Sequence, residues 1–172
     1  MIALKFIFST IIFILLACSA MAEPATVISV HDGDTFTVRY DDGSTDKIRL
    51  FGIDCPELAV RGRWGSQPYS RKAANLVKKI FARHDRVTVY GESWSYGRLV
   101  AGVITLDDGF TVQEALVSTG LAWVDPRYCK DSKPMCVKWK ALEAEAREER
   151  RGLWYHMNPT APWDWRRGED GE

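Results

Sequence analysis

Two tight turns, His31-Asp-Gly-Asp34 and Asp41-Asp-Gly43, cut residues 25–53 into three short runs that alternate apolar and polar side chains. Gly33 and Gly43 supply the bends, and a period of two marks strands with one buried face. The runs 25–30, 35–40 and 45–53 therefore read as an antiparallel meander. Two more alternating runs follow at 86–90 and 99–106, parted by a turn that contains Gly97. Asp107-Asp-Gly109 closes the second of them, and 121–124 reads as a short last strand.

Helical spacing appears in three places. Ala73, Leu76, Val77, Ile80 and Phe81 form a stripe, with Ser66 as the expected cap and Pro68 in the first turn. Residues 112–119 read as a short helix ended by Gly120. Residues 137–151 read as a third helix, with Trp139, Leu142 and Ala146 inward and Gly152 as its stop. Leu153 and Trp154 would pin its end to the body. The expected fold is α+β, mainly β: a five-stranded barrel of the OB type with about three helices. The chain has 172 residues, enough for one domain with a core. Its 23 basic and 23 acidic side chains cancel, so any contact with a polyanion must come from local patches.

The N-terminus reads as a signal peptide over residues 1–22. Lys5 precedes an apolar run interrupted only by Ser9 and Thr10, and Ala20-Met-Ala22 is a cleavage site before Glu23. Leu15-Leu-Ala-Cys18 is close to a lipoprotein processing site, but cleavage after Ala22 is preferred to lipid attachment at Cys18. The expected location is secreted or periplasmic, with a lipid anchor at Cys18 as the alternative. Residues 23–157 then form the domain, and 158–172 a Pro/Trp-rich tail ending near Arg166-Arg167. Its Trp163 and Trp165 either pack on the domain or meet a ligand. Export implies an oxidising compartment, and the spacing of Cys129 and Cys136 suits a small disulfide loop, leaving Cys55 unpaired. Cysteine and histidine spacing suggests no metal site: there is no Cys-x-x-Cys, and His31, His84 and His156 are scattered.

The chemistry gathers in Arg49-Leu-Phe-Gly-Ile-Asp-Cys-Pro-Glu57. A strand ends there at a Pro that cannot lie inside a sheet, with acids on both sides of the corner. Alone, the cluster is best read as a surface ion pair. Asp32-Gly-Asp-Thr35 and Tyr96-Gly-Arg98 change that reading. Together the three pieces offer Asp34, Asp54 and Glu57 beside Arg49 and Arg98. That set suits phosphodiester hydrolysis: oxygen ligands for a hard cation, a carboxylate for the attacking water, and guanidinium groups for the phosphate. The loop with Arg61, Arg63 and Trp64 is either a nucleic-acid contact or a solvated surface.

These three motifs, with Glu114-Ala-Leu-Val-x-x-Gly-Leu-Ala122 and Gly152-Leu-Trp154, resemble the staphylococcal nuclease-like (thermonuclease) family from about Val27 to Trp154. The resemblance implies an OB barrel and calcium-dependent cutting of DNA and RNA to leave 3′-phosphate ends. No stable protein partner is expected. By position, Asp34, Asp54 and the backbone carbonyl of Cys55 would hold Ca2+. Glu57 would orient or deprotonate the attacking water. Arg49 and Arg98 would bind the scissile phosphate. Asp32 would stand behind the metal ligands and Tyr96 near the nucleotide. The family's Lys before the Tyr-Gly-Arg turn is Ser95 here, and its base-stacking aromatic falls near Pro126, with Tyr128 close by. A site of two carboxylates and a carbonyl would bind calcium weakly, in the range of about 10⁻⁴–10⁻³ M. The rival reading is a non-catalytic OB module that binds nucleic acid or protein.

Overall fold

The computed structural model describes residues 22–61, 65–95, 98–106 and 108–168, with the side chains of 92–103 left aside. Strand β1 (Ala22–Val30) turns at His31–Asp34 into β2 (Thr35–Tyr40), which pairs antiparallel with β3 (Thr45–Leu50). The expected signal peptide falls outside the described residues except for Ala22, which opens β1 opposite Tyr90. Strands β5 (Arg86–Ser95) and β6 (Arg98–Thr105) form an antiparallel pair. β5 pairs back onto β1, and β6 meets β3 through a short parallel seam of three residue pairs. The five strands thus close in the order β1-β2-β3-β6-β5.

The run expected as one strand over 45–53 is broken in two. Gly52 takes a left-handed φ of 74°, and a Cβ there would come 2.8 Å from the Trp139 ring. Only glycine accepts both conditions cheaply. The chain therefore leaves the barrel at Gly52. Strand β4 (Ile53–Asp54) pairs instead with β7 (Trp123–Val124) as a separate two-stranded sheet. Asp54 consequently sits outside the barrel ladder and not at the end of β3.

Among the described residues there are four α-helices, one more than the sequence suggests. Helix α1 (Ser70–Phe81) buries Ala73, Val77 and Phe81 against the barrel, as its stripe requires. It starts later than Ser66 predicts, because Gln67 is bound to Glu57: Gln67 N–H donates to the Glu57 carbonyl at 2.8 Å. Tyr69, at φ 68°, then turns the chain into the helix without a side-chain cap. Helix α2 (Val112–Ser118) has a full capping box, Thr111 with Glu114. Helix α3 (Pro134–Glu148) begins inside the disulfide loop, because Pro134 is well placed in a first turn. A disulfide joins Cys129 and Cys136, whose Cα atoms are 5.3 Å apart.

A 3-10 turn (Gly152–Tyr155) and helix α4 (Pro162–Trp165) complete the chain. Trp123, Ala146, Leu153, Trp154 and Ala161 form a second apolar cluster, with Trp163 packed against it. Trp163 meets Trp123 edge-on at 5.9 Å, and the Arg147 guanidinium lies 3.6 Å from the centre of the Trp154 ring. Large side chains buried this way each contribute about 1.5–3 kcal/mol. Of the two alternatives for the tail tryptophans, Trp163 packs on the domain. The described part of the tail is a docked element that reaches the acid corner at Arg166.

Candidate active site

The His31–Asp34 turn is held by its own backbone. His31 N–H and Asp32 N–H both donate to the Thr35 carbonyl, at 2.9 and 3.2 Å. The Asp32 carboxylate accepts from Asp34 N–H at 3.1 Å, so Asp32 braces the bend. Gly33 is needed at the tip because a Cβ would come 2.8 Å from Ala73 and from Cys55. Asp34 is thereby turned inward, 1% exposed. Its Oδ2 accepts from Cys55 N–H at 2.6 Å and its Oδ1 from the Thr35 hydroxyl at 3.1 Å. Leu50 N–H donates to the Asp34 carbonyl at 2.9 Å, which ties the turn to the end of β3.

Asp54 is also 1% exposed. Arg49, on β3, reaches both acids, with Nη1 on Asp34 and Nη2 on Asp54. Arg49, Asp34 and Asp54 therefore meet as the sequence expects. Burial raises the Asp34 carboxyl well above the usual range; Arg49 pulls it back, while Asp32 and Asp54 push it up further. Burial opposes charge on Arg49, but Asp34 and Asp54 more than offset it, so its proton is held more tightly than usual. The Cys55 thiol is buried and pushed up by desolvation.

Glu57 stands at the mouth, its side chain 16% exposed. Its backbone is clamped by Gln67, whose Oε1 accepts from Glu57 N–H at 3.0 Å. Burial raises its carboxyl, and Arg166 lowers it in part.

Four participants were not singled out as site residues from sequence. Arg166, just after α4, forks onto Asp54 through Nη1 at 3.2 Å and Nη2 at 2.7 Å, and its Nη1 also meets Glu57. Arg127 lies 3.8 Å from Asp54 and is held by Asp125, which is 2% exposed. Gln67 joins Glu57 to the tail, since its Nε2 donates to the Thr160 carbonyl at 2.7 Å. None is a neighbour of Asp54 or Glu57 in the chain, and no local motif marks them. The tail signal was its Trp content and the Arg166-Arg167 pair, which left packing on the domain and contact with a ligand both open.

Tyr96 lies outside the described residues. Arg98 is placed by its backbone alone, at the start of β6, whose next residue, Leu99, pairs with Ile48 of β3. Tyr128, close to the expected base-stacking position, is 58% exposed. Trp64 and Arg63 also fall outside the described residues, while Arg61 is exposed.

The donor set at the corner is oxygen. Asp34 and Asp54 already share one cation, the Arg49 guanidinium, so a hard divalent cation fits the chemistry of the pair. Among the described residues, no three His, Cys, Asp or Glu side chains close around one point, so water would complete the coordination.

The family description "Staphylococcal nuclease homologue" matches residues 47–156. An Escherichia coli protein named as an uncharacterized endonuclease is 35% identical over 140 residues, 81% of this chain and 82% of that one. A staphylococcal-like nuclease of Arabidopsis thaliana is 38% identical over 126 residues, 73% of this chain but 34% of the plant protein. A probable staphylococcal-like nuclease of rice, Oryza sativa subsp. japonica, is 38% identical over 122 residues, 70% of this chain and 32% of its own length. The chain thus spans about four-fifths of the bacterial relative and about a third of the plant ones.

Proposed function

The chain belongs to the staphylococcal nuclease family, a family of enzymes that hydrolyse nucleic acid, and on that premise we propose that it cuts DNA and RNA outside the cytoplasm, depends on calcium and leaves 3′-phosphate ends. The carrying observation is the pair of buried acids, Asp34 and Asp54, bridged by one Arg49 guanidinium with Glu57 at the mouth. Burying two carboxylates this closely is costly unless a cation serves both.

Asp34, Asp54 and the Cys55 carbonyl would hold calcium, which would supply a hard positive charge against the phosphate oxygens. Arg49 and Arg98 would bind the scissile phosphate and meet the negative charge that builds there. Glu57 is partly open to solvent while its backbone is fixed by Gln67, so its carboxylate can hold a water in one place and accept its proton. Asp32 keeps Asp34 aimed by holding the turn. Tyr96, two residues before Arg98 in the chain, would lie near the nucleotide. Arg127, half exposed and locked by Asp125, adds a guanidinium at the rim. Export fits the N-terminal segment and the Cys129–Cys136 disulfide, with lipidation at Cys18 as the other route to the same compartment.

The test is digestion of single-stranded DNA, double-stranded DNA and RNA with calcium, with magnesium and with a chelator, followed by end labelling. Cutting that needs calcium, with ends that resist extension until a phosphatase removes a 3′-phosphate, is expected. Strand binding without cutting under every cation would leave a binding module. Free 3′-hydroxyl ends would contradict the proposed direction of cleavage.

A further inference from the structure

Arg166 stands 109 and 112 residues from the acids it touches, so packing and not local chain direction sets its place. The tail before it is anchored at several points. Ala161 is buried in the second cluster, and Trp163 packs on Trp123. The Thr160 carbonyl accepts from Gln67, and the Trp165 indole N–H donates to the Gly65 carbonyl at 3.3 Å. The guanidinium that follows covers both oxygens of Asp54 and one of Glu57.

Those oxygens have more than one use. Asp54 belongs to the acid pair assigned above to a divalent cation, and Glu57 is the acid assigned to the water. Arg49 meets one oxygen each of Asp34 and Asp54, sharing Asp54 Oδ1 with Arg166, while Asp54 Oδ2 and Glu57 are met by the tail, with Arg127 farther off at 3.8 Å. On Asp54 Oδ2, which Arg49 does not use, a guanidinium and a divalent cation compete for the same oxygen and repel one another. We propose that Arg166 is a positioning residue acting through Asp54 and Glu57: it is the chain's own counter-charge at the acid corner, and a divalent cation binds by displacing it from Asp54. The inference rests on the reading of Asp34 and Asp54 as a cation site. It makes the tail a determinant of cation affinity, because binding must include the cost of releasing a partly buried, bidentate ion pair.

Calorimetric titration of calcium into the purified protein, Arg166→Ala and Arg166→Lys tests this, with melting in chelator alongside. Arg166→Ala is expected to bind calcium about 10–100-fold more tightly, the worth of a charge-assisted contact. Arg166→Lys, a point charge that cannot fork, should fall between. In chelator Arg166→Ala should melt lowest, since Asp54 and Glu57 lose a partner, and calcium should narrow the gap. A role in packing alone would give the lower melting but no gain in affinity. Equal or weaker calcium binding by a folded Arg166→Ala therefore overturns the proposal. If calcium binds none of the three but magnesium or manganese does so in the same order, the proposal stands and the calcium reading fails. If no divalent cation binds any folded variant, both fail.

Discussion

Arg49 serves two buried acids with one side chain, and the corner depends on it more than on any other contact. Removing it leaves Asp34, 1% exposed, without its only guanidinium partner among the described residues. Arg49→Ala is expected to lower stability in chelator by about 3–5 kcal/mol, measured by urea unfolding, the cost of breaking a buried pair from one side. Arg49→Lys should recover part of this, because a lysine can meet one acid but not fork across two. At this scale the sequence was informative where partners lie close in the chain. Asp34, Arg49, Asp54 and Glu57 fall within one hairpin and its exit, so their meeting could be read from the turns. Arg127, Gln67 and Arg166 could not, because each reaches the corner through packing made far away in the sequence. The side chain of Arg98 stays an expectation.

Elements bear on the site mainly through where they end. β3 ends at Leu50, and Gly52, left-handed and closely covered by the Trp139 ring of α3, turns the chain away. That contact, and not the local alternation, divides β3 from β4. The strand pattern could not reveal it, since the ring comes from a helix far along the chain. The core stripe of α1 was legible from its spacing, whereas its start was not, because Gln67 is taken by Glu57. Two predictions belong here. Gly120 has φ 67°, and a Cβ on it would overlap the Arg151 carbonyl where the α2 exit meets the 3-10 turn. Gly120→Ala should cost about 2–4 kcal/mol, read by chemical denaturation. Glu143 of α3 is held above its usual 4.5 by burial, with Arg147 pulling it back in part. Its folded form thus holds a proton more tightly than the unfolded chain does. The stability it contributes is present below about pH 4.5 and is lost as pH rises through the folded value. Glu143→Gln should therefore raise the melting temperature at pH 7 relative to wild type and leave it nearly unchanged at pH 4.

On the scale of the whole molecule, the closed strands and α1 hold the Asp34 turn, while the β4–β7 pair and the second apolar cluster bring the tail to the same corner. The alternating runs showed mainly antiparallel strands, and the motif order pointed to the family. The docking of 158–168 was not legible, because a Pro/Trp-rich tail has no period that names its partner. The proposed activity requires Glu57 and the two aspartates to form a hydrolytic centre. The most direct test is the cleavage rate of DNA and RNA by Glu57→Ala beside wild type, with calcium present and with melting curves showing both folded. A loss of about 10²–10⁴-fold is expected if Glu57 handles the proton of the attacking water. Cutting at the wild-type rate by a folded Glu57→Ala protein would contradict the assignment of this corner as the active site.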